Sequence, residues 1–314
     1  MKIVRFLARN DSDDSHAHIG ILKDQGIVDI DEIVGDLRGD APQLQMERLI
    51  NRFEDLRPAI SQLVDATPPM SGDKYRLLPP LPRPSKILCC IGNYWEHMER
   101  TPRPLNLFLK SPDSVVGPGD TIRLPAYTDP YVFHHEAELG IVARGPAKNI
   151  AEDNYLEAIF GYTCMIDVSA RAEERRTWRS GSWMGKSFDT FGPIGPCIVT
   201  ADEIPDPNDL NVKFWNNGEL RHDYNTDDME HRVPEIIAFA TNIMTLNSGD
   251  LLACGTNHEG IGPLQDGENV EMEIVGIGKM QLDVADPLKR TWERGVYMGP
   301  NSTNPAARTQ QPNT

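Results

Sequence analysis

No run of about 18 apolar residues, the length a membrane-crossing helix needs, occurs anywhere in the 314-residue chain. Basic clusters are equally absent. Asp and Glu outnumber Lys and Arg by 47 to 31, and the formal net charge of -16 works against nucleic acid or anionic lipid, which are bound through grouped Lys and Arg. Cysteine is sparse: Cys89, Cys90, Cys164, Cys197 and Cys254 form an odd set without the paired spacing of a zinc site, as free thiols in a reducing compartment would. Arg5 and Arg9 interrupt the first residues before a signal-type apolar core can form, and no repeat of about 20 to 50 residues is visible. These absences lead to the expectation of a soluble cytoplasmic protein with neither nucleic-acid nor membrane partners.

What is present reads as a β-rich globular chain, whose 39% hydrophobic content is enough to form a core. Residues 2–7 and 18–30 carry strand patterns, the latter as two strands about a turn near Gln25-Gly26. From Ala41 to Val64 the apolar residues mostly recur at helical spacing, with an interruption expected at Pro58. The proline-rich stretch from Thr67 to Ser85 resists helix and central strand, and so suggests a linker. The expected layout is a small N-terminal α/β domain (1–75), a catalytic domain (76–293) and a loose tail (294–314). Strands are expected at Lys86–Gly92, Leu107–Lys110, Asp120–Leu124, Tyr162–Ile166 and Asn269–Val275, with a loop at Gly255–Gly260 after the apolar Asp250-Leu-Leu-Ala-Cys. A short helix over 151–160 is expected to close at Gly161, and a turn-rich segment to run from Lys186 to Pro196. Asn217-Gly218 marks a solvent-facing hairpin, and a helix from Val233 takes Asp227 or Asp228 as its cap.

The chemistry centres on the strand-like run Tyr131–Gly140. Glu136 and Glu138 stand two residues apart in it, and on a strand such residues share one face. Two readings stand: both carboxylates turn to water, or they grip one cation and need a third ligand. Asp167, at a strand end, is well placed for a site. Lys186 is a lone cation among apolar neighbours and suits an oxyanion or carboxylate. His97 stands in a polar, aromatic segment, where an isolated His is either a surface residue or a catalyst.

In order along the chain, these stretches resemble the fumarylacetoacetate hydrolase superfamily. The resemblance rests on Pro82-Arg-Pro-Ser-Lys-Ile, Asn93-Tyr94 with His97, Phe108-Leu-Lys-Ser-Pro-Asp, Glu136-Ala-Glu138-Leu, Gly161-Tyr, Asp167-Val-Ser-Ala-Arg171, Lys186-Ser-Phe-Asp, Asn217-Gly-Glu, Ser248-Gly-Asp and Gly255-Thr256. It implies an α+β, β-rich fold, a mixed β-sandwich roll, usual dimerisation, and a divalent cation (Mg²⁺ or Mn²⁺, with Ca²⁺ a further candidate) on Glu136, Glu138 and Asp167. An all-oxygen set suits such hard ions independently. The resemblance also implies His97 as general base and Asn93, Tyr94, Arg171, Lys186 and Thr256 as substrate binders. Three positions depart from the family pattern. His-x-x-Glu becomes His97 with Arg100, leaving Glu99 one residue early as the candidate orienting acid. Glu174 stands where a Gln is common, and would face the substrate. Gly-Thr-Pro-x-Gly becomes Gly255-Thr-Asn-His-Glu, which brings His258 and Glu259 toward the ligand. The activity implied is hydrolysis of a carbon–carbon bond in a 1,3-dicarbonyl or acylpyruvate-type oxo acid. The alternatives are decarboxylation or isomerisation/tautomerisation of a 2-oxo or β-keto acid at the same metal site, and non-catalytic metabolite binding.

Overall fold

In strand after strand apolar side chains fall on alternate positions, and this period of two gives each sheet a face to bury. The computed structural model describes residues 1–128, 130, 132–171 and 183–295. Glu174, Tyr131 and nearly all of the expected tail lie outside the described residues. The chain opens with β1 (Lys2–Ala8), β2 (His18–Lys23) and β3 (Gly26–Asp29), then α1 (Asp31–Val34) and the long α2 (Pro42–Ala66). β4 (Tyr75–Leu78) follows within the proline-rich stretch and pairs antiparallel with β1. A strand forms there because its four residues all carry an N–H, the prolines lying outside it. Helix α2 runs unbroken through Pro58, against expectation. An interior proline costs a helix about 3 kcal/mol, but Pro58 and Glu54, whose carbonyl loses its partner, are both exposed, while Met46, Leu49, Ile50, Phe53 and Ile60 on the opposite side are buried.

The strands that follow are β5 (Ile87–Cys90), β6 (Leu107–Lys110), β7 (Val115–Val116), β8 (Thr121–Arg123), β9 (Phe133–His134), β10 (Ala137–Ala143), β11 (Ile159–Ile166) and β12 (Ser169–Ala170). Beyond them lie β13 (Gly192–Thr200), β14 (Asn211–Asn216), β15 (Glu219–Asn225), α3 (Val233–Ile243), β16 (Leu251–Ala253), β17 (Asn269–Ile274) and β18 (Gly278–Ala285). Among the described residues one 11-stranded mixed sheet has the order β3-β2-β1-β13-β11-β10-β16-β5-β6, with β4 on β1 and β7 on β13. A 5-stranded sheet, β15-β14-β17-β18-β8, packs on it. Leu139, Ile141, Tyr162, Cys164 and Val199 of the large sheet share one buried cluster with Val212, Phe214, Val270 and Met272 of the small one. On the other face of the large sheet Val142, Met165, Ile198 and Leu251 meet Met46, Leu49 and Phe53 of α2. The order of layers is therefore helix, sheet, sheet, the β-rich α+β fold expected. The N-terminal strands continue the large sheet through Lys2↔Val199 and Ile3↔Ile198.

Several local expectations are corrected. Residues 152–158 form a 3₁₀ helix, and Gly161 lies inside β11, not at a helix end. A Cβ there would stand 2.2 Å from the carbonyl oxygen of Val199, so glycine is required by the close approach of β13. β13 itself occupies part of the segment expected to be turns, and all nine of its residues are buried. Pro196 is tolerated because it falls where the β11–β13 register shifts, between Val199 and Gly195, and Pro193 lies beyond that shift beside the two-residue β7. Asn217 (φ 49) and Gly218 (φ 77) make the expected two-residue hairpin turn of β14 and β15, but Val212, Phe214 and Asn216 face inward, so only one face of it meets water. For α3 the expected caps, Asp227 and Asp228, lie in a separate 3₁₀ turn, and Asn208 Oδ1 accepts from Val233 N at 2.9 Å instead. All five cysteines are buried and free.

Phe53 packs edge-to-face on Phe160 of the sheet, centroids 5.1 Å apart. Phe53→Ala is expected to lower stability by about 3–5 kcal/mol in chemical denaturation, the range for emptying a buried aromatic site. A loss under about 1 kcal/mol would show that α2 contributes little to the sheet's burial.

Candidate metal centre

The pairs Ser169↔His134 and Ala137↔Ile166 keep one register across an interruption at residues 135–136. The strand-like run is thus broken at Glu136. Within the gap Asp167 N donates to the Glu136 carbonyl oxygen at 2.8 Å, so these two residues stand opposite each other. Glu138 is paired with Met165 and, by alternation, points to the same side. All three carboxylates are buried, and one oxygen from each lies within 4.8 Å of the others.

Among the described residues three cations surround them. Lys186 Nζ is 2.9 Å from Glu136 Oε2, 2.6 Å from Asp167 Oδ2 and 2.6 Å from Ser169 Oγ. Lys110, whose side chain is buried at the end of β6, donates to Asp167 Oδ1 at 2.7 Å and to the Lys186 carbonyl. Arg171 donates through Nη2 to Glu136 Oε1 at 2.7 Å and through Nε to His134 Nδ1 at 2.9 Å. Glu138 has no such counter-ion among the described residues: Gly255 N donates to its Oε2 at 2.7 Å. Gly255 has φ +85, which suits glycine and lets this amide reach the carboxylate.

The electrostatics divide accordingly. Burial opposes charge on Glu136, but Lys186 and Arg171 outweigh it and hold the carboxyl well below its ordinary range. Burial, joined by the charges of Asp167 and Glu136, pushes Glu138 well above that range. For Lys186, burial is outweighed by Asp167 and Glu136, which raise it. Burial likewise raises the Cys89 thiol, with Asp167 and Glu138 adding to the effect, so it stays protonated and inert. A buried carboxyl that lacks a cation of its own, beside two more oxygen donors, fits a hard divalent ion.

A model of the fumarylacetoacetate (FAA) hydrolase C-terminal domain matches residues 86–285. The chain belongs to this family. Among members of the fumarylacetoacetate hydrolase family, maleylpyruvate hydrolase of Aquipseudomonas alcaligenes is 31% identical over 301 residues, covering 90% of this chain and 99% of that one. The mitochondrial oxaloacetate tautomerase fahd2 of Xenopus laevis is 34% identical over 299 residues, 90% of each chain. The solved structure of maleylpyruvate hydrolase from Sphingobium sp. SYK-6 in complex with manganese(II) ion and pyruvate is 33% identical, with a TM-score of 0.79 over 91% of this chain and 99% of that one.

Of the residues that the family resemblance singles out, the structure brings Glu136, Glu138, Asp167, Lys186 and Arg171 together. Thr256 is buried beside Gly255, its Oγ1 donating to the Asn257 carbonyl at 3.2 Å. Asn93 is a brace: its amide donates to the carbonyls of His231 and Cys254 and accepts from His231 N. Tyr94 is a core residue, edge-to-face with Tyr224 at 5.0 Å. His97, 80% exposed, lies 3.7 Å from Glu259, and Glu99 is exposed; no hydrogen bond or ion pair among the described residues joins either to the carboxylates. Arg100 points inward, pairing with Glu230 beside Arg103. Sequence reasoning missed Lys110, Ser169, His134 and Glu96. Only Lys110 left a signal, a lone cation ending an otherwise apolar strand.

Two substitutions separate the roles of the glutamates. Because the folded state raises the carboxyl of Glu138, its ionisation opposes folding above the ordinary carboxylate range. Glu138→Gln should therefore raise Tm of the metal-free protein at neutral pH, yet abolish the further rise on adding Mn²⁺. Glu136 has the opposite sign: its lowered carboxyl stabilises the fold above the ordinary range, and that contribution is lost as pH falls. Glu136→Gln should lower Tm at neutral pH, with the deficit shrinking toward acid. Scanning calorimetry reads both, and equal shifts would refute this division of charge.

Proposed function

We infer that the chain is a divalent-metal-dependent hydrolase that cleaves a carbon–carbon bond of an acylpyruvate-type oxo acid. The observation that carries this reading is the buried group Glu136, Glu138 and Asp167, with one oxygen from each within 4.8 Å of the others. Likeness to maleylpyruvate hydrolase over 90% of the chain supports it.

A divalent cation held by these three carboxylates, Mg²⁺ or Mn²⁺, would supply Lewis acidity toward the oxygens of a 2-oxo acid. The chain's own residues do the rest. Lys186 spends its three donors on Glu136, Asp167 and Ser169, holding them in place and favouring the charged form of Glu136. Lys110 holds the far oxygen of Asp167. Arg171, at the margin of the site, supplies positive charge for a substrate carboxylate. The sheets and the loop beginning at Gly255 exclude bulk water, which strengthens each of these interactions. The reaction also needs one group that takes a proton from water and returns it to carbon.

Tautomerisation or decarboxylation of a 2-oxo acid is the second reading, and one observation favours it. Arg100 stands at the position of the family's orienting Glu and is committed to Glu230, so the usual means of activating water is missing. The 34% identity with oxaloacetate tautomerase agrees.

Incubation of the Mn²⁺-loaded protein with an acylpyruvate in H₂¹⁸O should yield pyruvate and a second carboxylate carrying one solvent oxygen. Keto–enol exchange of oxaloacetate, or release of CO₂, without any acylpyruvate cleavage would replace hydrolysis by the second reading.

A further inference from the structure

We propose that the proton-transfer group of this chain is His258, oriented by Glu96, and not the His97 that the family motif designates. The proposal rests on the oxo-acid reading above for its substrate, while the dyad itself stands on geometry.

Glu96 precedes His97 in the loop after β5, and His258 sits in the loop after β16. Their side chains meet although 162 positions separate them: His258 Nδ1 bonds Glu96 Oε1, and His258 N donates to the same oxygen at 3.0 Å. Both are mostly sheltered, with 19% of the His258 side chain and 12% of that of Glu96 exposed, against 80% for His97. A carboxylate on Nδ1 fixes the ring and leaves Nε2 as the working nitrogen, the logic of an activated histidine. No hydrogen-bond partner of Nε2 occurs among the described residues.

The pair is held from below by Asp228, whose Oδ2 accepts from Glu96 N at 3.1 Å and from Asn257 Nδ2 at 3.0 Å. Glu96 (φ 55) and His97 (φ 57) both adopt a left-handed conformation disfavoured for non-glycine residues, so the backbone turns there and sends the two side chains different ways. His258 is three residues from Gly255, whose amide binds Glu138, so one loop carries both the histidine and a contact to the metal centre. The His97 side chain has no comparable support among the described residues: the acid paired with it, Glu259, is itself 62% exposed, and Arg100 is turned to Glu230.

The step is balanced. His258 Nε2 takes a proton from water as its oxygen bonds the distal carbonyl carbon. The bond from that carbon to C3 of the pyruvyl moiety then breaks, the electron pair passes to C3, and Nε2 returns the proton there. The products are a carboxylic acid and pyruvate. In a tautomerisation the same nitrogen moves a proton between C3 and oxygen.

The test uses the full-length, Mn²⁺-loaded protein with two readouts: acylpyruvate cleavage, and deuterium exchange into the methyl group of pyruvate in D₂O followed by NMR. His258→Ala should lose about 10²- to 10⁴-fold in kcat with KM and the Mn²⁺-induced rise in Tm little changed, as removal of a general base predicts. Added imidazole should restore much of that rate, which no misfolded or merely destabilised variant would show. Glu96→Gln should lower kcat less, and Glu96→Asp should recover part of the loss. Cleavage that survives His258→Ala, a loss that imidazole cannot repair, or a severe loss in His97→Ala with His258→Ala near wild type would overturn the dyad. If wild type cleaves no acylpyruvate but exchanges pyruvate deuterium in a His258-dependent way, the hydrolase reading fails and the dyad stands. Absence of both activities would overturn both.

Discussion

Like charges placed opposite each other on paired strands repel, and Glu136 stands opposite Asp167 with Glu138 close by, all three out of water. Such a group is tenable only with positive charge against it, because an uncompensated buried carboxylate carries a desolvation penalty of several kcal/mol. Lys186, Lys110 and Arg171 supply that charge from three separate parts of the chain, so the site exists only when β6, the β10–β11 ladder and the segment around Lys186 are assembled together. The compensation is uneven. Two carboxylates are satisfied by side chains and the third by a single amide, and that imbalance is what a divalent ion would correct.

The layers around the site serve this constraint. β10 and β11 lie centrally in the large sheet, with the small sheet on one face and α2 on the other, which keeps the strands rigid and dry where the carboxylates emerge. The long α2 can carry Pro58 because the proline falls on its wet side. Packing on both faces fixes the spacing of oxygens that would otherwise repel apart.

Much of this was legible in the sequence. A period of two placed Glu136 and Glu138 on one side, an acid at a strand end pointed to Asp167, and Asn217-Gly218 announced its hairpin, since each signal is local and each rests on backbone geometry. Failures came where tertiary contact overrides local preference. Gly161 looked like a helix stop but is a close-approach residue, and the glycines and prolines of β13 looked like turns but lie within a wholly buried strand. Asn208, remote in sequence from Val233, took the capping role expected of Asp227 or Asp228. The Glu96–His258 contact was invisible because no periodicity links residues so far apart. His97, the residue that a motif makes conspicuous, is among the exposed ones.

The segment from Asn93 to Arg103 is anchored at both ends. Asn93 is tied to the backbone of Cys254 and His231, while Arg100 and Arg103 share the wholly buried carboxylate of Glu230 and also reach the Tyr94 carbonyl. A chain fastened in this way has surrendered most of its conformational freedom during folding. Ligand binding therefore need not supply the ordering entropy that a free loop demands, about 0.5–1.5 kcal/mol for each immobilised flexible side chain. With Arg100 where the family pattern has an acid, the segment is ordered by Glu230 during folding, and its outline is set before any ligand arrives instead of by closure around one.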